Sequence, residues 1–156
     1  MSMKKFMILF LMLATGLSAS AQTGLKINEL FEGRIIPQER MVETRVRGKT
    51  LEKYQLSYYR SVRMTVTEEE ADQLLQMVEE DGKEQCAIGH GGAWKETVFG
   101  KEHTYTWKTQ VRKQGDQNCF LCYHAKWKNK SPEREVTVIY MEGSVRSLNK
   151  LEELLK

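Results

Sequence analysis

The sequence predicts an α+β fold, in which a mostly antiparallel sheet of about six strands carries two main helices packed on one face. Three observations support this prediction. Apolar and polar side chains alternate with a period of two through several segments, as in strands with one buried face. Two other segments repeat their apolar residues every three or four positions, as helices do. The strands follow one another across short turns, and such hairpins build antiparallel sheets.

The N-terminal residues 1–21 have the organisation of a secretory signal peptide. Lys4 and Lys5 precede an apolar run, and Ala19-Ser20-Ala21 provides small residues where a signal peptidase reads the chain. The run is shorter than the ~20 residues of a transmembrane helix. The sequence therefore predicts cleavage after Ala21, a periplasmic or secreted protein, and no transmembrane anchor.

Cleavage would leave residues 22–156, which have the size of one ordinary domain and contain no low-complexity linker. The full chain has a formal charge of +3, and two of its lysines would leave with the signal peptide. This near-neutral balance argues against a nucleic-acid-binding protein, which needs a clear excess of basic residues. No motif indicates a bound cofactor.

The first half of the chain predicts two strands. A short helix or a disordered start is expected over residues 24–33, before a strand from Met41 to Arg47. From Tyr54 to Val66 the apolar side chains occupy even positions, and only Tyr59 and Arg60 interrupt the alternation. A bulge near Tyr59 would explain the interruption.

Thr67 precedes the clearest helix. Thr67-Glu68-Glu69-Glu70 matches a capping box, in which the threonine hydroxyl accepts from the Glu70 amide and the Glu70 carboxylate reaches back to Thr67. The acidic first turn also suits the positive end of the helix dipole. Gly82 is expected to end this helix. Its apolar stripe consists of Ala71, Leu74, Leu75 and Val78.

The second half of the chain predicts four more strands and a terminal helix. Turns are expected at Gly100-Lys101, Gln114–Asp116 and Asn129–Glu133, because glycine, asparagine and proline favour turns. Ser147 is a candidate cap for the last helix, which is rich in leucine. The four strands are expected at residues 94–99, 103–112, 119–127 and 136–141.

Three cysteines, Cys86, Cys119 and Cys122, leave their disulfide pairing open. Cys119 and Cys122 form a CxxC motif, but a redox-active motif needs its first cysteine at a helix N-terminus, and these flanks indicate a strand. Side chains three residues apart in a strand point to opposite faces. We therefore expect one of these two in the core and one outside, or either bridged to Cys86.

A thiol- or metal-dependent envelope protein is the alternative from another functional class. Cys86 and His90 are close in sequence, and Cys122 and His124 share a strand face, so these four could supply tetrahedral zinc ligands. Each spacing is common by chance, and exported thiols more often oxidise.

A basic surface is the leading candidate for binding. His124, Lys126 and Lys128 share one strand face, and Lys108 and Arg112 share a face of the strand paired with it. If the sheet is covered on one side only, these side chains face solvent and suit a glycan with acidic groups, another anionic ligand or an envelope protein. Lysines also face water on ordinary amphipathic sheets.

The layout resembles a class of small exported proteins from Gram-negative gut bacteria that are grouped as domains of unknown function. The resemblance rests on the Lys-Lys signal ending at Ala21-Gln22, on the strand leading into Thr67–Glu70, and on Val138–Ser144 before a leucine-rich helix. It implies a periplasmic or secreted α+β protein, and it carries no activity and no functional residues.

The sequence as a whole favours an exported, non-catalytic binding or interaction protein of unknown ligand. Catalytic residues are not predicted, because neither a nucleophile motif nor a carboxylate pair stands out. A third interpretation is an accessory subunit of an envelope complex, with Tyr59 and Phe120 as exposed apolar contacts.

Overall fold

The computed structural model describes residues 24–85, 93–114 and 117–156, which form a six-stranded antiparallel sheet and three helices. The sheet order is β1-β2-β6-β5-β4-β3, so β1 and β3 are its two edges. The predicted α+β class is confirmed. The strands are β1 (Met41–Arg47), β2 (Leu56–Thr67), β3 (Ala93–Phe99), β4 (Glu102–Gln114), β5 (Gln117–Lys128) and β6 (Glu133–Gly143). The helices are α1 (Asn28–Phe31), α2 (Glu68–Gln85) and α3 (Leu148–Leu155), with short 3-10 helices at Gln38–Arg40 and Lys49–Tyr54.

One face of the sheet, the first face, carries the larger core. Helix α2 buries its apolar stripe there, and alternate residues of β2, β5 and β6 complete the cluster. Removing these side chains from water is the main source of stability for a domain of this size. Fully buried members include Val62, Leu74, Val78, Leu121, Val138 and Tyr140.

The predicted capping box at the start of α2 is confirmed. The Glu70 amide donates to Thr67 Oγ1 at 3.2 Å, and the Thr67 amide donates to Glu70 Oε1 at 3.0 Å. The predicted end at Gly82 is wrong, because α2 continues to Gln85. A Cβ atom at position 82 would lie 2.6 Å from the Trp107 ring, so this glycine lets α2 pack closely on β4.

The segment before β1 is part of the core rather than a disordered start. Helix α1 forms within it, and Leu25, Ile27, Leu30 and Phe31 are all buried. The buried Asp81 carboxylate of α2 accepts from the backbone amides of Lys26 at 2.7 Å and Ile27 at 2.9 Å. The amides of Lys26 and Ile27 come directly before α1, where backbone N–H groups have no partner within the helix, and the Asp81 carboxylate supplies the missing hydrogen-bond acceptor.

The opposite face of the sheet, the second face, carries a smaller core at one end. The register of β2 and β6 shifts between Leu56 and Tyr58, two residues before the predicted bulge, and Leu56 joins this second cluster. Helix α3 packs here, capped by the Ser147 hydroxyl, which accepts from the Lys150 amide at 3.1 Å. The two main helices therefore lie on opposite faces, not on one as expected, because apolar residues such as Phe120 and Met141 on the second face also need a cover.

Candidate functional site

The predicted basic residues of β5 lie together on the second face. His124, Lys126 and Lys128 alternate along β5 with residues that face the first core cluster. Lys108 of β4 lies opposite Cys122 of β5 and therefore on the same face as these three residues. Lys126 and Lys128 are exposed, whereas Lys108 and His124 are half-buried. The part of the second face around His124, Lys126 and Lys128, beyond the cover of α3, is the open half.

Acidic neighbours reduce the basic character of this surface, and a hydroxyl group contacts its histidine. Lys108 forms an ion pair with Glu152 of α3, and Lys126 Nζ lies 3.3 Å from Glu102 Oε1. His124 Nδ1 is 2.8 Å from Thr106 Oγ1 on the neighbouring strand. These partners are distant in the sequence, so the sequence pattern alone overstates the positive charge of the surface.

The backbone at Arg112 does not keep the pairing with β5 that begins at Lys108. The register between β4 and β5 shifts between Gln110 and Arg112, and Arg112 lies opposite Cys119, a residue of the first core cluster. The strict alternation on which the prediction rested is therefore interrupted before Arg112.

A cavity of about 220 Å³ lies beside the lysines of the open half. Its lining contains as many carboxylates as cations, so it has no clear preference for an anion. The cations are Lys126, Lys128 and Arg134, the carboxylates are Glu102, Glu133 and Glu135, and the remaining residues are Thr65, Trp127 and Ser131.

Cys119 and Cys122 lie on opposite faces, as their spacing predicts. Cys119 is buried in the first cluster, whereas Cys122 packs against the second. Burial raises the pKa of the Cys122 thiol to about 12, and the nearby Lys108 only partly offsets this. A redox CxxC pair needs two sulfur atoms in contact and a readily ionised thiol, and this geometry provides neither.

The alternative metal ligands are not assembled in the part of the chain that the structure describes. Cys122 and His124 share the second face, but His124 contacts Thr106, and Cys86 and His90 lie outside the described residues. Within those residues, no group of three histidine, cysteine, aspartate or glutamate side chains is placed to hold a metal ion. No described helix combines the length and the apolar character that spanning a bilayer requires.

A stack of aromatic and cationic groups joins the strands at the end of the first face. The rings of His103 and Trp127 stack with centroids 5.4 Å apart and planes 7° apart. The Arg134 guanidinium lies 4.2 Å from the Trp127 ring centroid and also pairs with Glu68 of α2 at 2.9 Å. Because the indole already contacts an imidazole and a guanidinium, the stack has a structural role.

The outer edge of β3 is the main exposed apolar surface of the described residues. Trp94 is 67% exposed, Val98 57% and Phe99 87%, and these are three of the five large apolar side chains that stay exposed there. Trp94 and Val98 lie on the first face, opposite Trp107 and His103 of β4, and Phe99 lies on the second. We call Trp94, Val98 and Phe99 the β3 edge patch.

Sequence reasoning predicted the β3 strand but missed its exposure. The only signal in residues 93–99 is that apolar side chains fall on both parities, unlike a strand with one buried face. The predicted apolar contacts are wrong for Phe120, which is fully buried, and Tyr59 is half-buried against the same cluster. The second core cluster covers both residues.

Residues 14–155 match the model of a family described as a family of unknown function (DUF6108), and the chain belongs to that family. The predicted membership in an uncharacterised family is thus confirmed. A search among curated proteins found no match.

Proposed function

We propose that this member of a family of unknown function is an exported, non-catalytic interaction protein of a Gram-negative bacterium. Its interaction surface is the outer edge of β3, which binds a protein partner by adding a strand to the sheet. The observation that carries the proposal is the β3 edge patch, with Trp94, Val98 and Phe99 exposed on a strand that has one neighbour in the described sheet.

Two physical properties of this edge support strand addition. The outward backbone groups of an edge strand have no partner within the sheet, so an added strand gains main-chain hydrogen bonds. The exposed apolar side chains would lose contact with water when side chains of the added strand cover them. Soluble proteins usually protect edge strands with charged residues or a covering element, whereas β3 exposes more apolar than charged side chains.

A second candidate function is the binding of a glycan or other anionic ligand on the open half. Lys128 and Lys126 are exposed there beside the 220 Å³ cavity, and the Lys126–Glu102 pair is a solvent-exposed contact that a ligand carboxylate or phosphate could replace. The three carboxylates of the same lining oppose an anion, so this function ranks below strand addition. A thiol or metal function ranks lower still, because Cys119 and Cys122 lie on opposite faces and no group of metal ligands is assembled in the described residues.

Site-specific photo-crosslinking in cells tests the proposed function. A photoreactive residue replaces Trp94 in one variant and Val42 in a control; Val42 is 61% exposed on the opposite edge, β1. The proposal predicts a cross-linked protein of defined mass from position 94 and none from position 42. Equal cross-linking from both positions, or none from position 94, would contradict it.

The export part of the proposal has its own test. The mass of the protein recovered from the periplasm or medium should correspond to a chain that begins at Gln22. A full-length chain retained in the cytoplasm would contradict it.

A further inference from the structure

We infer that the strand received by the β3 edge is β3 of a second copy of this chain, related to the first by a two-fold axis. This inference rests on the proposed function, because it names the occupant of the same edge. An added copy would extend the antiparallel pattern that all described strand pairs already follow.

One register of this pair uses the whole strand. β3 has seven residues, and Glu96 is its central residue. A two-fold axis at Glu96 pairs every residue of β3 with a residue of the second copy. An axis at Lys95 would leave Val98 and Phe99 opposite residues outside the strand, and an axis at Thr97 would do the same for Trp94.

The same register matches the exposed apolar side chains with one another. Residues directly opposite each other in an antiparallel pair lie on the same face. Trp94 then lies opposite Val98 of the second copy, and the two-fold axis repeats this contact. Phe99 lies opposite Ala93, and Lys95 lies opposite Thr97. The strand therefore complements itself at the three residues that are otherwise exposed to water.

Only the centre of this register is unfavourable, because Glu96 faces Glu96 of the second copy. Like charges directly opposite each other weaken a strand pair. The interface is also small, because each copy contributes only the seven residues of β3. Interfaces that bury less than about 1,200 Å² in total are typical of weak, transient contacts. A concentration-dependent dimer follows, and it closes on itself because the same edge is used by both copies.

The contact between the two Glu96 side chains occurs only in this register, so changing Glu96 tests the register directly. The purified exported protein and its Glu96→Gln and Glu96→Lys variants would be compared by sedimentation velocity over a range of concentrations. Glu96 is exposed, so these variants should keep the fold, which circular dichroism would check. The inference predicts a reversible dimer and a dissociation constant about two- to five-fold lower for Glu96→Gln.

Mixing the wild type with Glu96→Lys should form heterodimers in preference to either homodimer, because glutamate then faces lysine. Native mass spectrometry would count the species. Val98→Lys should abolish the dimer, and Val42→Lys, a matched change on the opposite edge, should leave it unchanged.

Three results would overturn the inference: a monomer at all concentrations, no preference for the heterodimer, or equal effects of the two valine variants. If the protein is monomeric while position 94 still cross-links to a different protein, the second copy is excluded and the proposed function stands. If position 94 also fails to cross-link, both are excluded.

Discussion

The two edge strands of this sheet, β1 and β3, differ in how well their side chains discourage the pairing of a further strand. On β1, charged side chains alternate along the strand, and Glu43 bridges Arg45 of the same strand and Arg60 of β2. Arg47 places its guanidinium 4.6 Å from the Tyr58 ring centroid. On β3, by contrast, the β3 edge patch is exposed. Charge discourages the pairing of a second strand and exposed apolar surface favours it, so β1 is a closed edge and β3 an open one.

The β1 edge is also bonded into the core. Arg60 is 8% exposed, and it donates from Nε to Glu43 at 2.8 Å and from Nη2 to the Phe31 carbonyl at 3.1 Å. Its guanidinium lies 4.7 Å from the Phe31 ring centroid. One side chain therefore ties β1, β2 and α1 together. In the described part of the chain, Trp94, Val98 and Phe99 of β3 are instead largely exposed.

The largest predicted effect is on the closed edge. Arg60→Met should lower the free energy of unfolding by about 1–3 kcal/mol, because it leaves the buried Phe31 carbonyl, and the Glu43 carboxylate, without this donor. Urea denaturation followed by circular dichroism would measure the change. The matched control is Arg63→Met, an exposed arginine on the same strand, for which a change within about 0.5 kcal/mol is expected. Equal losses for both variants would contradict the role of Arg60.

A smaller effect should appear with pH. Burial opposes ionisation of Glu43, but hydrogen bonds from Arg45 and Arg60 outweigh it and lower the pKa of this carboxyl below its usual 4.5. The unfolded state then binds the proton more readily, so this contribution is present above pH 4.5 and is lost as pH falls below it.

The difference in unfolding free energy between the wild type and Glu43→Gln should therefore shrink on acidification, as the Glu43 carboxylate takes up a proton. Urea titrations at neutral pH and at pH values below 4.5 would measure it. A difference that is independent of pH would show that Glu43 is not held ionised by its arginines.

The sequence predicts the fold better than it predicts these surfaces. The capping box of α2 and the alternation of β2 and β5 are local patterns, so they can be seen without the structure. The position of α3 on the second face depends on the register shift at Leu56 and on the path of the chain between β6 and α3. No short sequence pattern indicates either of these features.

The candidate sites were harder to predict for the same reason. The shared face of His124, Lys126 and Lys128 follows from periodicity, but their acidic neighbours come from β4 and β6. Nothing in residues 93–99 says that β3 is an edge, because that depends on the order of all six strands. Phe120 was misjudged because its cover comes from α3 and from the 3-10 helix at Lys49–Tyr54.

The smallest predicted effect on stability belongs to the open edge. Val98→Lys and Val42→Lys replace valines of similar exposure, 57% and 61%, on opposite edges. Each should change the free energy of unfolding by less than about 0.5 kcal/mol in dilute protein, because neither valine is buried. Thermal unfolding at low concentration would compare them. A large loss for Val98→Lys alone would mean that β3 is exposed less than its geometry indicates.

Hydrogen exchange at low and high protein concentration distinguishes the two edges directly. If β3 pairs with a second copy, amides of residues 93–99 become protected as the protein concentration rises, residues 41–47 do not change, and Val98→Lys removes the effect. Exchange that is independent of concentration at both edges would contradict self-association through β3. Protection that rises equally at both edges would contradict the distinction between an open and a closed edge.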